Sequence, residues 1–343
     1  MPETVREPLP TISRVAILGA GSWGSALATL LDGCESVRLW ARDEALAANV
    51  QSERENSRYL PGIPLAANVQ ATPLLDSALR DAQCVVFAVP SGAMRETAED
   101  AAPFIPRDAL IVNAAKGLED ATGRRMSQVI ADAVGAGLRT AVLSGPNLAV
   151  EVARGIPTAS VAASEDIGAA AACQALWMRP TFRVYTSTDI IGVELAGAMK
   201  NVIAIGAGIC EGMGYGDNSR AAFMTRGLAE ITRLGTALGA QSSTFLGLAG
   251  VGDLIATGGS RLSRNYRVGV GLGQGKSLDA ILEEIGQVAE GVPTTKAICI
   301  LARKLGMEAP ISEALHGALF EGLNVRDAIT QLMVRPPRRE SDF

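Results

Sequence analysis

The stretch RVAILGAGSWG at residues 14–24 joins an apolar run directly to a Gly-x-Gly-x-x-Gly pattern. The apolar run predicts a buried strand, and the residues that follow predict a helix. In such a loop Gly19 allows the tight turn, Gly21 lets a pyrophosphate approach the backbone, and Gly24 lets the helix pack closely on the sheet. The helix N-terminus offers free N–H groups to the phosphates. The stretch therefore predicts a dinucleotide-binding site, with a ligand-free glycine turn as the alternative.

Composition and charge narrow the class of protein. The chain has 343 residues, of which 48% are hydrophobic and 20% charged, as is typical of a globular protein with two domains. The net charge of −5 argues against a nucleic acid or an anionic membrane as a partner. The first ten residues, MPETVREPLP, lack the apolar run of a secretory signal. We therefore expect a cytoplasmic protein.

The sequence also argues against a metal site and against a membrane span. His316 is the single histidine, which excludes most Ser-His-Asp schemes and a His-rich metal site. The five cysteines are far apart, which is typical of reduced thiols, and we expect no metal. The most apolar long stretch, Ile190–Cys210, carries Glu194, Lys200 and Asn201. These residues are costly in lipid, so the stretch predicts a buried core helix and no membrane span.

Strand and helix patterns alternate from Arg14 to about Tyr185. Short apolar runs predict strands at Val15–Leu18, Val37–Trp40, Cys84–Val89, Ala109–Asn113, Thr140–Leu143, Thr158–Val161 and Phe182–Tyr185. Helical patterns lie between them, for example at Ser22–Leu31, Met94–Ala102 and Arg124–Val134. This alternation predicts an α/β domain over residues 1–188 with a Rossmann-like, doubly wound, mostly parallel sheet.

The pattern changes after Asp189, where no convincing strand follows. Helices are predicted at 189–211, 218–238, 278–285, 293–305, 310–321 and 324–332. Residues 189–334 are therefore predicted to form an all-α C-terminal domain that holds the substrate. The charged, proline-containing tail at 335–343 is predicted to be disordered.

The end of the second predicted strand bears on the type of cofactor. Arg42 lies 21 residues after Gly21, near the position where this pattern expects the residue that meets the adenosine ribose. An arginine there favours the 2′-phosphate of NADP, although a solvated surface arginine is the alternative. Asp43 follows directly and keeps NAD possible. We expect NADP or NAD, with NADPH favoured.

Two further turns follow predicted strands at the carboxyl edge of the sheet. Lys116 comes shortly after the strand that ends at Asn113, although a lysine in a solvated loop would give the same pattern. Ser144-Gly145-Pro146-Asn147 opens a helix, and its N–H groups could bind an anion or a carbonyl oxygen. Simple helix capping by Ser144 or Asn147 is an equally good interpretation.

Lys200 is the most informative residue of the C-terminal half, because its helix is apolar almost all round. A buried ammonium must either lose its proton or find a partner. A lysine whose pKa is lowered by burial suits general acid–base catalysis near neutral pH. The alternative is a lysine that extends along the helix to the surface.

Polar residues in glycine-rich and basic surroundings follow further along the chain. Asp253 lies in the turn Gly250–Leu254 and could bind Lys200 or a substrate hydroxyl. Arg264 and Asn265 could hold a phosphate, since a guanidinium fits phosphate oxygens in bidentate fashion. A turn-capping aspartate and a solvated arginine are the alternatives.

Taken together, these segments resemble the bacterial-type NAD(P)-dependent glycerol-3-phosphate dehydrogenases. The matching pieces are GAGSWG (19–24), NAAKGLE (113–119), SGPNLAVE (144–151), FRVYTSTDIIGVELAGAMKNVIAIGAGI (182–209), GVGDLIAT (250–257), SRNYRVG (263–269) and IGQVAEGV (285–292). They occur in the family's order over nearly the whole chain from residue 14. The resemblance implies reversible reduction of dihydroxyacetone phosphate to sn-glycerol 3-phosphate with NAD(P)H.

The resemblance also implies a role for each matching position. Lys200 resembles the family's proton donor and acceptor, with Lys116 and Asp253 as further catalytic residues. The implied substrate contacts are Lys116, Gly145, Asn147, Lys200, Asp253, Ser263, Arg264 and Asn265. The implied cofactor contacts are Ser22, Trp23, Arg42, Lys116, Ala149, Arg264, Val288 and Glu290, beside the loop glycines Gly19, Gly21 and Gly24.

One position departs from the family, and some properties are implied by the family alone. Asn147 stands where the family usually has Thr or Ser, from which we expect altered geometry and retained function. A homodimer and a cytoplasmic reductase that supplies glycerol phosphate for glycerophospholipid synthesis are implied in the same way.

Two other functions stay open at this point. A dehydrogenase for a 3-hydroxy acid or a sugar phosphate has the same two-domain layout, so the fold alone does not separate it from the first function. A non-catalytic NADP-binding sensor would need the glycine loop but would have no use for a buried lysine. The segments around Asp253 and Arg264 favour the glycerol phosphate.

Overall fold

A computed structural model of the chain describes residues 11–135, 137–337 and 339–340. It divides into two compact units. Among the described residues, the first contains those up to Ala115 together with those from Met126 to Ile190, and the second contains Lys116–Arg125 together with those from Ile191 onward. The segment Lys116–Arg125 thus groups with the helical unit, whereas the sequence prediction kept it in the first domain. Residues 338 and 341–343 of the tail lie outside the described residues, so its disorder stays a prediction.

Within the described residues, the first unit contains one sheet in the strand order β3-β2-β1-β4-β5-β6-β7-β8. The strands are β1 Arg14–Leu18, β2 Ser36–Trp40, β3 Val69–Thr72, β4 Cys84–Phe87, β5 Leu110–Asn113, β6 Thr140–Ser144, β7 Thr158–Ala163 and β8 Phe182–Ser187. All neighbours are parallel except β6 and β7. The predicted doubly wound, mostly parallel sheet is confirmed. The strand β3 was missed, and the predicted strand Cys84–Val89 ends at Phe87.

Burial on both faces explains the continuous apolar runs of these strands. In β1, Val15 and Ile17 belong to one apolar core, while Ala16 and Leu18 belong to another. Successive side chains of a strand point to opposite faces, so the two cores lie on opposite faces of the sheet. The helices of this unit are α1 Ser22–Thr29, α2 Glu44–Glu53, α3 Leu75–Leu79, α4 Met94–Ala101, α5 Met126–Val134, α6 Ala149–Ala153 and α7 Ile167–Trp177.

The second unit is helical, as predicted. Its helices are α8 Ile190–Gly212, α9 Asp217–Ala237, α10 Ser242–Phe245, α11 Asp253–Thr257, α12 Arg264–Gly273, α13 Leu278–Ile285, α14 Gly291–Leu305, α15 Pro310–Phe320 and α16 Val325–Met333. A π-helical turn at Leu248–Gly252 precedes α11. The sequence prediction missed α10, α11 and α12.

The helix α8 is the core of the second unit. By length and composition it could cross a membrane, but 94% of its most apolar window is buried inside the structure. The apolar surface that would face lipid in a membrane span is covered here by protein. This agrees with the predicted core helix.

Candidate active site

The glycine loop between β1 and α1 has the backbone that a dinucleotide site requires. Gly19 has a φ of +119°, and its N–H donates to the carbonyl oxygen of Trp40 at 3.0 Å. A Cβ at Gly24 would overlap the carbonyl oxygen of Gly19, so only glycine allows this turn. The space into which a Cβ of Gly21 would point is open, which leaves room for a pyrophosphate. Ser22 is the first residue of α1.

Asn56 supports this loop and was not singled out from the sequence. Its buried side-chain amide donates to the carbonyl oxygen of Ala20 and to Ser25 Oγ, both at 2.8 Å. The two bonds tie the loop to the first turn of α1. A lone asparagine in a polar stretch gives no pattern from which this role could be predicted.

Arg42 and Asp43 follow β2 and differ in how closely their side chains bind other residues. Asp43 caps α2 by accepting from the Leu46 N–H at 3.1 Å, and it pairs with Arg58 at 3.0 Å. The side chain of Arg42 is 76% exposed, and its nearest acidic partner, Glu96, lies 3.5 Å away. A solvated guanidinium thus stands at the end of β2, beside a carboxylate that already has partners.

Three buried polar atoms near the carboxyl edge of the sheet have no hydrogen-bond partner among the described residues. They are Trp23 Nε1, Ser144 Oγ and Asn147 Oδ1. An unpaired buried polar group is costly, so a bound molecule that supplies partners would remove the penalty. These atoms and the open space at Gly21 fit a nicotinamide dinucleotide on this unit.

The turn after β6 holds Asn147 in a defined orientation. Asn147 Nδ2 donates to Ser160 Oγ at 3.2 Å, and Ser160 Oγ donates to the carbonyl oxygen of Ser144 at 2.9 Å. Gly145 has a φ of +152°, and a Cβ there would lie 2.9 Å from Ser160 Cα. Ala149 is the first residue of α6. The amide of Asn147 therefore uses a donor within the protein and keeps its oxygen for another group.

In the second unit, the carboxylate of Asp253 pairs with the ammonium groups of two lysines. Asp253 Oδ1 lies 3.0 Å from Lys200 Nζ, and Asp253 Oδ2 lies 2.7 Å from Lys116 Nζ. The Lys200 and Asp253 side chains are 2% and 1% exposed. A buried charge is tolerated only when it is paired, and here the carboxylate is shared by two cations.

Lys200 has the proton affinity of a group that can both donate and accept. Its pKa is lowered to about 8, first by burial and also by the nearby charges of Lys116 and Arg264, while Asp253 opposes the shift. Lys200 Nζ also lies 3.3 Å from Thr257 Oγ1, whose hydroxyl donates to the carbonyl oxygen of Asp253 at 2.6 Å. Thr257, four residues after Asp253 on α11, is a site residue that the sequence reasoning missed.

The N-terminus of α12 lies beside α8 in a polar contact. Ser263 caps α12 by accepting from the Tyr266 N–H at 3.3 Å. Asn265 Nδ2 donates to Asn201 Oδ1 at 2.9 Å, and Asn265 Oδ1 accepts from the Gly291 N–H at 2.8 Å. Asn265 therefore joins three helices, and one hydrogen of its amide remains beyond these two bonds.

Arg264 opens α12 and is largely buried. Burial lowers the pKa of its guanidinium, and the charge of Glu290 opposes that shift. Glu290 is the residue before α14, and Val288 lies two residues earlier with an exposed side chain. The free N–H groups of a helix N-terminus next to a guanidinium form a site suited to a phosphate.

The predicted site residues thus fall into two sets, one on each unit. Gly19, Gly21, Ser22, Trp23, Gly24, Arg42, Gly145, Asn147 and Ala149 belong to the first unit. Lys116, Lys200, Asp253, Ser263, Arg264, Asn265, Val288 and Glu290 belong to the second. The contacts of each of these residues with substrate or cofactor stay predictions. Among residues 11–135, 137–337 and 339–340, no group of three or more His, Cys, Asp or Glu side chains is placed to hold a metal ion.

Two family models match successive parts of the chain. Residues 14–170 match the model of the NAD-dependent glycerol-3-phosphate dehydrogenase N-terminus, and residues 189–330 match the model of its C-terminus. The glycerol-3-phosphate dehydrogenase [NAD(P)+] of Pelotomaculum thermopropionicum is 49% identical over 96% of this chain and 95% of its own length. That of Moorella thermoacetica is 50% identical over 95% of this chain and 97% of its own length.

A solved structure gives the same result for the fold. The glycerol-3-phosphate dehydrogenase of Coxiella burnetii superposes with a TM-score of 0.91 at 38% identity, over 95% of this chain and all of that chain. The resemblance carried by the sequence motifs is confirmed, since both domain models and full-length relatives match in order. The chain belongs to the NAD-dependent glycerol-3-phosphate dehydrogenase family.

Proposed function

We propose that this protein catalyses the reversible, NAD(P)H-dependent reduction of dihydroxyacetone phosphate to sn-glycerol 3-phosphate. The observation that carries the proposal is the buried cluster in which Lys200 and Lys116 share Asp253. A non-catalytic NADP-binding sensor would have no use for a buried lysine of lowered pKa. The names of the relatives, which join this cofactor to this substrate, support the same reaction.

The cofactor would be held by the first unit. The loop from Gly19 to Gly24 and the N-terminus of α1 would bind the pyrophosphate, and the unpaired Trp23 Nε1 is available to the same ligand. When bound, the reduced nicotinamide supplies the two electrons and the hydrogen that the carbonyl carbon gains. Arg42 is exposed, with Glu96 at 3.5 Å, and can face a 2′-phosphate. Asp43 already binds the Leu46 N–H and Arg58, so NADPH is favoured.

The proton would come from Lys200. As the carbonyl carbon is reduced, negative charge develops on its oxygen, and an ammonium group beside that oxygen neutralises it by giving up a proton. A pKa of about 8 lets Lys200 carry the proton at neutral pH and still release it. Asp253 and Lys116 fix the position of the ammonium group. In the reverse direction, neutral Lys200 takes the hydroxyl proton of glycerol 3-phosphate.

The distant phosphate of the substrate would be bound at the N-terminus of α12. Arg264 provides positive charge there, and the free N–H groups provide oriented hydrogen-bond donors. The hydrogen bond between Asn201 and Asn265 holds α8 and α12 in register. Binding energy from a group that does not react then positions the carbonyl next to Lys200. Asn147 Oδ1, which lacks a partner among the described residues, is available to ligands on the first unit.

The wider role is part of the same proposal. The product is the backbone of glycerophospholipids, so a cytoplasmic reductase supplying lipid synthesis fits this activity. A homodimer is proposed from the family. Sedimentation at several protein concentrations tests the homodimer, since a monomer at all of them would contradict it.

Absorbance at 340 nm tests the reaction directly. Purified protein receives NADPH or NADH, first with dihydroxyacetone phosphate and then with a 3-keto acid or another sugar phosphate as controls. We expect rapid oxidation that depends on dihydroxyacetone phosphate and is faster with NADPH. Oxidation with a control substrate only would favour the related dehydrogenases. NADPH binding without turnover on any of them would favour the sensor.

A further inference from the structure

The segment that carries Lys116 folds back on itself as a small hairpin within the second unit. Leu118 and Arg125 form an isolated antiparallel bridge, and the Glu119 N–H donates to the carbonyl oxygen of Arg124 at 2.9 Å. The turn closes with the Gly123 N–H donating to the carbonyl oxygen of Glu119 at 2.7 Å. Arg125 therefore lies opposite a residue only two positions from Lys116.

Arg125 ties this hairpin to the helix that carries Lys200. Its Nη1 lies 2.6 Å from Glu194 Oε2, and the two side chains are 15% and 3% exposed. Glu194 precedes Lys200 by six residues on α8, which is about 9 Å along the helix axis. In such a buried pair neither charge is left without a partner, so the pair fixes the hairpin on α8.

A second anchor holds the turn of the hairpin on another helix of the same unit. Lys304 Nζ on α14 donates to the carbonyl oxygen of Thr122 at 2.8 Å. Gly123 packs against Leu301 so closely that a Cβ there would lie 2.7 Å from Leu301 Cγ. With both ends of the hairpin fixed, the chain leading back to Lys116 has little freedom.

Together these contacts form a closed series of interactions that begins and ends at the hairpin. The series runs from Lys116 to Asp253, on to Lys200, along α8 to Glu194, and across the ion pair to Arg125 and the hairpin. We propose that Arg125 and Glu194 are positioning residues that hold Lys116 against Asp253, so that two ammonium groups stay on one carboxylate. This inference rests on the proposed role of Lys200 as the proton donor and acceptor.

Release of the hairpin would change the pH at which Lys200 gains or loses its proton. The charged groups that act on Lys200 are Asp253 on α11, Lys116 on the hairpin and Arg264 on α12. Asp253 raises the pKa of Lys200, whereas Lys116 lowers it. If the hairpin is released and Lys116 leaves Asp253, Lys200 keeps the carboxylate to itself and holds its proton more tightly.

The test is the pH profile of kcat for oxidation of sn-glycerol 3-phosphate with NADP+, in full-length protein. The double variant Arg125→Met/Glu194→Gln removes both charges and leaves neither one buried alone. We expect a lower kcat, and an acidic limb moved to higher pH by at least about half a unit, because neutral Lys200 then forms only at higher pH. The single variant Arg125→Lys keeps the charge but loses the planar fork, so we expect a smaller shift in the same direction.

A matched control is an ion pair of equal length in the first unit. Arg139 Nε lies 2.6 Å from Asp166 Oδ2, with the side chains 13% and 24% exposed. The variant Arg139→Met/Asp166→Asn should leave the midpoint of the profile unchanged even where stability falls. A merely structural role of Arg125 would give the same result as this control.

Two outcomes separate failure of this inference from failure of the proposed function. Profiles of both Arg125 variants that superpose on wild type would overturn the positioning role, and Arg125→Lys alone decides if the double variant does not fold. Wild-type turnover in Lys200→Met would instead overturn the role of Lys200, and no turnover of sn-glycerol 3-phosphate by the wild-type protein would overturn the proposed function. Lys200→Met is therefore measured in the same series.

Discussion

Gly208 on α8 lies directly against the backbone carbonyl of Tyr266 on α12, and a Cβ at position 208 would overlap that oxygen. The contact recurs one turn further, between Gly212 and the carbonyl oxygen of Val270. Gly269 and Gly273 on α12 approach the backbone of α8 in return. The two helices that carry Lys200 and Arg264 are therefore held at backbone contact distance.

Gly208→Ala should destabilise the protein, although the same change in an ordinary helix stabilises it. Removing a helical glycine normally gains about 0.5–1 kcal/mol. Here the added methyl group must push α12 away, so we expect a net loss of about 1–3 kcal/mol in the free energy of unfolding. Denaturant unfolding measures it. Gly33→Ala is the control, because the space beside Gly33 is open. Equal effects of the two substitutions would contradict the packing argument.

Lys200→Met should abolish turnover and leave the fold intact. Asp253 keeps Lys116 as its partner, so the variant does not strand a buried charge. Loss of a positioned general acid lowers kcat by about 10²–10⁴-fold. NADPH fluorescence titration and circular dichroism should match wild type. Lys276→Met removes a lysine paired with Glu284 on the surface and should leave kcat unchanged. A kcat near that of wild type in Lys200→Met would refute the role.

The pH dependence should have opposite signs in the two directions. Reduction needs protonated Lys200, so kcat should fall as the pH rises through about 8. Oxidation needs neutral Lys200, so kcat should rise through the same range. Both profiles are measured at saturating substrate and cofactor. Two flat profiles between about pH 7 and 9 would show that another group handles the proton.

Arg264→Ala should act mainly on substrate binding. Loss of a charge-assisted contact with the phosphate should raise KM for dihydroxyacetone phosphate by about tenfold to a hundredfold, with a smaller change in kcat. Arg267→Ala is the control, since Arg267 is an exposed residue of the same helix. An unchanged KM in Arg264→Ala would remove Arg264 from the phosphate site.

Arg42→Glu should change the choice of cofactor. A carboxylate at this exposed position repels a 2′-phosphate and can accept from a 2′-hydroxyl. We expect kcat/KM for NADPH to fall by about tenfold or more and kcat/KM for NADH to stay level or rise. Arg107→Glu makes the same charge change in the exposed turn before β5. A fall of the same size in both variants would point to overall charge as the cause.

The sequence predicted the sheet well where burial on both faces leaves a continuous apolar signal. Only the first residue of β3 is fully buried in the stretch Val69–Thr72, so that edge strand lacks the signal and was missed. The helices α10 to α12 were missed for a different reason. Their region is rich in glycine, a residue typical of turns, so the sequence predicted no helix there. The close approach of Gly269 and Gly273 to α8 is a tertiary contact, which a sequence pattern does not show.

The candidate site was predictable to the extent that its residues lie in recognisable motifs. Lys200 stood out because its helix is apolar, and the structure pairs it with Asp253, as one of the interpretations foresaw. Thr257 and Asn56 had no such signal, since their roles depend on neighbours far away in sequence. The ion pair of Arg125 and Glu194 could not be predicted from a sequence pattern either, because the two residues are 69 positions apart.

The chain contributes to the helical unit twice, once through Lys116–Arg125 and again from Ile191 onward. Lys116 and Asp253 are 137 positions apart, and Met126–Ile190 between them belongs to the other unit. A gene fragment starting at Ile191 would encode Lys200, Asp253 and Arg264 but lack the second cation. Recombination between relatives at this boundary would bring together a hairpin and a helical bundle that had not evolved with each other. Selection on the shared carboxylate therefore links the two halves of the gene, even though their folds are distinct.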